Sequence, residues 1–162
     1  WIGRFVFVQV AAPTRSALDE YRGFQERIQR VTERINQRFG RPGYQPVHLL
    51  AQHHEHDAVT ELFRAADVCV VTSLHDGMNL VAKEYIACRI NDDGSLVLSQ
   101  FAGAARELRR ALIINPYDIE SLKQAIAQGA NPKDAKVALA NGGSPADYCS
   151  FGVAIRMVSL CE

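Results

Sequence analysis

Val68-Cys69-Val70-Val71-Thr72-Ser73-Leu74-His75-Asp76-Gly77-Met78-Asn79-Leu80-Val81-Ala82-Lys83-Glu84 changes its period partway along. Val68 to Val71 is an apolar run dominated by valine, the pattern of a strand buried on both faces. Asp76-Gly77 turns the chain, and from Asn79 the sequence reads as a helix. A strand that ends in a glycine turn and enters a helix leaves backbone N–H groups without intrahelical partners, and an anion can sit on them. Two carboxylates, Asp76 and Glu84, bracket the segment.

The same alternation extends in both directions. Phe5-Val6-Phe7-Val8-Gln9-Val10-Ala11 reads as a strand, and Pro13 ends it. Ser16 is placed to cap a helix, with Asp19 and Glu20 in its first turn. Leu18, Tyr21, Ile28, Val31, Ile35 and Phe39 then recur at steps compatible with one helical face, and Gly40 and Pro42 stop it. Val47-His48-Leu49-Leu50 reads as a second strand. A helix from about Asp57 turns Val59, Leu62, Phe63 and Ala66 inward. After the third strand, Val68 to Val71, a helix is expected over 79–88, a turn over 91–94 and a strand over 96–98. A short helix over 102–108, a strand over 111–114 and a helix over 118–127 complete the series.

Serial strand–helix units predict an α/β fold: a Rossmann-like, doubly wound parallel sheet of about five strands, spanning residues 1–128. Residues 129–162 lose this alternation and carry Asn131-Pro132, Asn141-Gly142-Gly143 and Ser144-Pro145. They are expected to form a non-matching tail, poorly ordered or loosely packed, although 153–160 is apolar enough for a strand or short helix. The chain opens on Trp1 and enters its first strand almost at once, so it reads as cut from something longer.

With 162 residues, 48% hydrophobic and 22% charged, the chain has enough material for one domain with its own core. Lys+Arg and Asp+Glu both number 18, which disfavours nucleic acid or an acidic membrane as the main partner. No apolar run approaches the roughly 18 residues of a membrane span. The four cysteines, Cys69, Cys88, Cys149 and Cys161, contain no C-x-x-C pair. They read as free thiols of a reducing, cytoplasmic compartment.

Ligands of a doubly wound sheet bind at the carboxyl ends of its strands. Arg15, His53 and His54, residues 73–79 and residues 99–103 fall at such ends. Gly77 lets backbone approach a ligand closely. Asp76 can accept hydrogen bonds from sugar hydroxyls, and Glu84 can grip a vicinal diol. The alternative is an ordinary turn with Asp76 as turn former and Glu84 on a solvated face. Arg15 could bind an anion or pair with a surface carboxylate. His53, His54 and His56 have poor spacing for a closed zinc site, and no metal is expected. The arginines at 22, 27, 30, 34 and 38 alternate with Glu20, Glu26 and Glu33, as on a solvated helix laced with ion pairs. Ser73 and His75 lack a nucleophile elbow.

Residues 76–84 resemble the trehalose-6-phosphate synthase family of retaining GT-B glycosyltransferases. Further matches fall in family order: Phe7-Val8-Gln9-Val10-Ala11-Ala12-Pro13-Thr14-Arg15, Arg34-Ile35-Asn36 with Phe39-Gly40, and Phe63-Arg64 with Ala66-Asp67-Val68. Ser99-Gln100-Phe101-Ala102-Gly103-Ala104-Ala105 and Asn115-Pro116-Tyr117-Asp118 follow. The resemblance covers about residues 1–127 and implies the C-terminal, donor-binding half of a GT-B fold.

It further implies transfer of glucose from UDP-glucose to glucose-6-phosphate with retention, giving trehalose 6-phosphate and UDP. UDP-glucose enters as substrate, and no cofactor or metal is implied. In these terms Leu80, Val81, Ala82, Lys83 and Glu84 bind the donor, with Glu84 on the ribose and backbone amides on the diphosphate. Asp76 is the catalytic carboxylate that holds glucose hydroxyls, helped by the Gly77 and Met78 backbone, with Asn79 in the same donor loop. His54 contacts the nucleotide through its backbone, and Arg15 binds the acceptor phosphate. The partners implied are small molecules, with no nucleic acid and no membrane; a homo-oligomer stays open for the full-length protein.

The departures are equally specific. The family's diphosphate-clamping Arg and Lys lie in a loop upstream of residue 1. His75 and Ser73 stand where many members carry Arg and Pro. The Ser73-Leu74-His75-Asp76-Gly77 version also resembles glucosylglycerol-phosphate synthases, which implies glycerol 3-phosphate as the alternative acceptor. A non-catalytic nucleotide-binding fragment is the further alternative for the isolated chain.

Overall fold

A computed structural model describes residues 2–11, 19–89, 93–130 and 153–157, the last five as backbone. The strands are β1 (Phe5–Val10), β2 (Val47–Leu50), β3 (Val68–Val71), β4 (Ser95–Ser99), β5 (Leu112–Ile114) and β6 (Val153–Met157). The helices are α1 (Asp19–Phe39), α2 (His56–Ala65), α3 (Leu80–Cys88) and α4 (Ile119–Gly129), with a single 3₁₀ turn over Gly103–Arg106.

The five expected strands form and run in one direction. β1 pairs in parallel with β2, and β3 with β4 and β4 with β5 likewise. A sixth strand, β6, runs antiparallel between β1 and β3, with Ile155 opposite Phe7 on one side and Val68 on the other. The resulting order is β2-β1-β6-β3-β4-β5. The apolar content of 153–160 is consistent with a strand, but composition carries no information on its partners or direction. The rest of the tail, residues 131–152 and 158–162, lies outside the described residues, as do Arg15 and the Ser16 cap.

Side-chain alternation along β3 and β4 explains why their sequence is almost continuously apolar: successive residues point to opposite faces, and both faces are covered. Cys69, Val71, Leu96 and Leu98 pack with Phe63 of α2 and with Val81, Ala82, Tyr85 and Ile86 of α3. Val68, Val70 and Val97 pack on the other face with Ala125, Leu122 and Ile126 of α4. The Cys69 thiol is free and fully buried, and burial pushes its pKa up to about 12, so it stays protonated.

Two local differences from the sequence expectation have simple causes. On α1 the inward stripe is narrower than the apolar periodicity suggests: Ile28, Ile35 and Phe39 are half-buried, whereas Val31 and Phe24 are exposed. Asn36 adds a polar clasp, its side chain bonding both the N–H and the carbonyl of Val47 at 3.0 and 2.9 Å. Residues 102–108 form only a 3₁₀ turn, because its backbone is drawn onto the neighbouring loop described below.

Arg89, just past α3, organises the end of α2. It is 6% exposed. Its guanidinium donates to the carbonyls of Phe63, Arg64 and Ala66 at 2.8–2.9 Å and to that of Asp93 at 3.0 Å. Its charge is met by the Asp93 carboxylate at 2.7 Å, and it lies over the Tyr85 ring. Gly94, at φ +80°, is needed here: a Cβ would fall 2.9 Å from the guanidinium carbon. Arg89→Met keeps the stem and strands the α2 carbonyls. It is expected to lower unfolding free energy by about 3 kcal/mol, read as a reduced urea midpoint at pH 7. A change below about 0.5 kcal/mol would show that water replaces the guanidinium without loss.

Candidate donor-binding site

The loop between β3 and α3 is built around Asp76. Its Oδ1 accepts from the N–H groups of Met78 and Asn79 at 3.0 and 2.9 Å, and its Oδ2 accepts from Asn79 Nδ2 at 2.9 Å. This is the turn that Asp-Gly-x-Asn favours, because an aspartate can bond the backbone two and three residues ahead. Asn79 caps α3: its Oδ1 accepts from Ala82 N at 3.0 Å, and its Nδ2 also donates to Ser73 Oγ at 3.1 Å. The residue is 8% exposed and holds a left-handed φ of 69°.

These bonds divide the N–H groups of the segment. Those of Met78 and Asn79 are turned onto Asp76, and that of Ala82 onto the Asn79 side chain. Helix geometry leaves Leu80 and Val81, in the first turn of α3, without intrahelical acceptors. Val81 and Ala82 bury their side chains completely, so only their backbone can meet a ligand. Gly77 and Met78 are exposed, Met78 at 50%.

Lys83 sends its ammonium to Glu107 Oε2 at 2.8 Å, tying α3 to the residue after the 3₁₀ turn. Glu84 lies half-buried on α3. Burial raises its pKa, and the nearby His56 charge opposes the shift. His54 is in the β2–α2 connection, half-buried, and its Nε2 is enclosed without a hydrogen-bond partner. Such an orphaned polar atom can receive a ligand group. Arg15, expected to hold the acceptor phosphate, falls outside the described residues.

The loop after β4 completes the wall. Asp76 N donates to Phe101 O, Gly103 N to Asp76 O at 2.9 Å, and Ala104 N to Met78 O at 2.7 Å. Sequence reasoning placed 99–103 at a strand end but did not show it gripping residues 76–78. Backbone-to-backbone bonds leave no side-chain signature beyond the glycine itself. Ser73, which departs from the proline of many family members, accepts from Asn79 Nδ2 through its hydroxyl. Among the described residues there is no group of three or more His, Cys, Asp or Glu side chains arranged to hold a metal. No described helix is long and apolar enough to cross a membrane.

A mostly parallel α/β sheet in which a strand end, a glycine turn and a helix N-terminus meet at the carboxyl edge of β3 defines the class, a Rossmann-like domain whose ligands bind at that edge. Comparison with known proteins gives the family: the chain belongs to glycosyltransferase family 20, whose profile matches residues 1–141. An α,α-trehalose-phosphate synthase [UDP-forming] of Pichia angusta is 46% identical over 129 residues, 80% of this chain and 27% of the relative. A crystal structure of an α,α-trehalose-phosphate synthase (UDP-forming) from Burkholderia xenovorans in complex with glucose-6-phosphate is 42% identical. It superposes with a TM-score of 0.74 over 76% of this chain and 28% of that one. An Escherichia coli trehalose-6-phosphate protein bound with UDP-2-fluoro glucose is also 42% identical, with a TM-score of 0.73 over 75% and 27%. The chain therefore spans about a quarter of the length of the relatives it matches.

Because burial raises the Glu84 pKa, ionising this side chain costs folding free energy. The cost is absent below the ordinary carboxylate range, where both states are protonated, and fully present above the raised native value. Glu84→Gln is thus expected to be more stable than the parent at pH 7, with the gain fading as pH falls through that range. Urea unfolding of both proteins at pH 7 and pH 4 measures this; an equal gain at both pH values would exclude ionisation as its source.

Proposed function

We propose that this chain is the donor-binding part of a glucosyltransferase. That enzyme moves glucose from UDP-glucose to glucose-6-phosphate with retention, forming trehalose 6-phosphate and UDP. One observation carries the reading: in a family-20 chain, the N-terminus of α3 stands at the carboxyl end of β3 with Asp76 before it and Glu84 within it. The diphosphate takes the Leu80 and Val81 N–H groups, the ribose hydroxyls take Glu84, and Asp76 takes the glucose hydroxyls. His54 flanks the nucleotide, and Arg15 takes the acceptor phosphate. The glucose–phosphate bond breaks, the acceptor oxygen bonds to the same carbon and its proton passes to the departing diphosphate, so catalysis rests on orientation and on stabilising that diphosphate.

The relatives support these substrates: one is described in complex with glucose-6-phosphate and another bound with UDP-2-fluoro glucose. The transfer takes no metal in this reading, since the helix dipole together with the arginine and lysine that the resemblance assigns upstream balances the developing charge. The free thiols of Cys69 and Cys88 suit a reducing compartment, and we place the protein in the cytoplasm.

Calorimetric titration of the chain with UDP and with UDP-glucose tests the proposal. Both are expected to bind, the sugar nucleotide more tightly. Glu84→Ala removes a charged acceptor from the ribose and is expected to weaken UDP by about 1.5–3 kcal/mol, roughly 10- to 150-fold. Unchanged UDP affinity in the folded variant would remove Glu84 from the site.

A further inference from the structure

We infer that Gly103 is a positioning residue for the donor-sugar subsite: its missing side chain lets the loop after β4 grip the Asp76–Met78 backbone and set where the Asp76 carboxylate points. The inference rests on the functional reading above and adds to it a residue that touches no substrate.

The contact is closer than any side chain permits. A Cβ built on Gly103 would fall 2.0 Å from the Gly77 carbonyl oxygen, 2.8 Å from its carbon and 3.3 Å from Met78 Cα. All three atoms are backbone, so no rotamer change relieves the overlap; the loop itself has to move. Around this point the two loops form a short parallel bridge, Asp76 opposite Ala102. The Phe101 carbonyl accepts from Asp76 N at 3.3 Å, and the Gly103 and Ala104 N–H groups donate to Asp76 O and Met78 O at 2.9 and 2.7 Å.

The strap is itself anchored. Ala102 and Ala104 are buried, at 2% and 0% exposure. Ser99, fully buried at the end of β4, accepts from Phe101 N through its Oγ at 3.1 Å. A rigid strand end thus reaches across to the next strand's loop.

The consequence for function follows from what the grip holds. Asp76 and Met78 are the residues whose carbonyls it fixes, and Asp76 Oδ1 bonds Met78 N. Displacing Gly77 by the ångström or so that a Cβ demands would re-aim the carboxylate. Glu84 lies on α3, on the far side of the Asn79 cap, and is not part of the grip. The substitution therefore bears first on the sugar, held from Asp76, and only through the Asn79 cap on the nucleotide, held from α3.

The test is Gly103→Ala in the 162-residue chain, titrated calorimetrically with UDP and UDP-glucose, beside amide hydrogen exchange of the parent. The expected result is a UDP affinity within about twofold of the parent, with the extra affinity for UDP-glucose lost. In the parent, the Gly103 and Ala104 amides are expected to exchange as slowly as those of β4. A UDP-glucose preference that survives in the variant overturns the inference while leaving the functional reading intact, and so does equal loss of both ligands by a folded variant, which marks a merely structural glycine. A parent with no preference for UDP-glucose over UDP overturns the functional reading and the inference together. Should the variant fail to fold, the exchange data decide: amides at 103 and 104 that exchange at loop rates overturn the grip, and protection that also extends to Asp76 and Met78 upholds it.

Discussion

Asn79 adopts φ 69° although it carries a side chain, a conformation whose cost for a non-glycine residue is of order 1–3 kcal/mol. Four hydrogen bonds hold it there. Its backbone N–H and its Nδ2 go to Asp76, its Nδ2 also reaches Ser73, and its side-chain Oδ1 takes the Ala82 N–H. Asparagine suits the position because it tolerates left-handed backbone and offers both a donor and an acceptor at short range. From this one residue follow the start of α3, the placement of Asp76 and the set of N–H groups left for a ligand.

The sheet makes that geometry firm. β3 and β4 are buried on both faces, so their ends are fixed by the packing of Leu96, Leu98, Val70 and Val97 rather than by the loops. A loop emerging from such a strand inherits its position. The loops after β3 and β4 then brace one another through backbone bonds, and Lys83 with Glu107 adds an exposed ion pair. The backbone bonds dominate: an exposed pair contributes at most about 1 kcal/mol and is screened by salt.

Much of this was legible in the residues. Valine-rich 68–71 announces a buried strand, and Asp76-Gly77 a turn. Asn79 reads from the sequence as the first residue of the helix, whereas in the fold it is the cap and α3 starts at Leu80. Other features carry no such mark. Nothing in the composition of 153–157 states that it runs antiparallel between β1 and β3, since pairing direction is a property of the whole sheet. Arg89 looks like any charged residue at a helix end until the carbonyls of Phe63, Arg64 and Ala66 at the end of α2 converge on it. Val31 obeys the helical period yet is 37% exposed, since period alone does not say how wide a face the neighbours cover.

The electrostatics of the α3 N-terminus define what a donor molecule requires there. Asp76 already uses the Met78 and Asn79 N–H groups, so part of the helix's capacity for negative charge is taken by the protein's own carboxylate. The macrodipole contributes on the order of 1 kcal/mol toward an anion at a helix N-terminus. A diphosphate brings more negative charge to the same turn, close to Asp76 and with Glu84 further along the helix. Lys83, the nearest cation in sequence, is paired with Glu107. Two N–H groups and a dipole do not by themselves balance that charge in a partly buried setting. Neutralising the diphosphate calls for cations beyond those gathered in this loop, which is the part that the resemblance assigns to an arginine and a lysine upstream of β1. In the proposed reading this loop therefore orients the sugar and ribose, while most of the charge stabilisation for the departing phosphate comes from outside it.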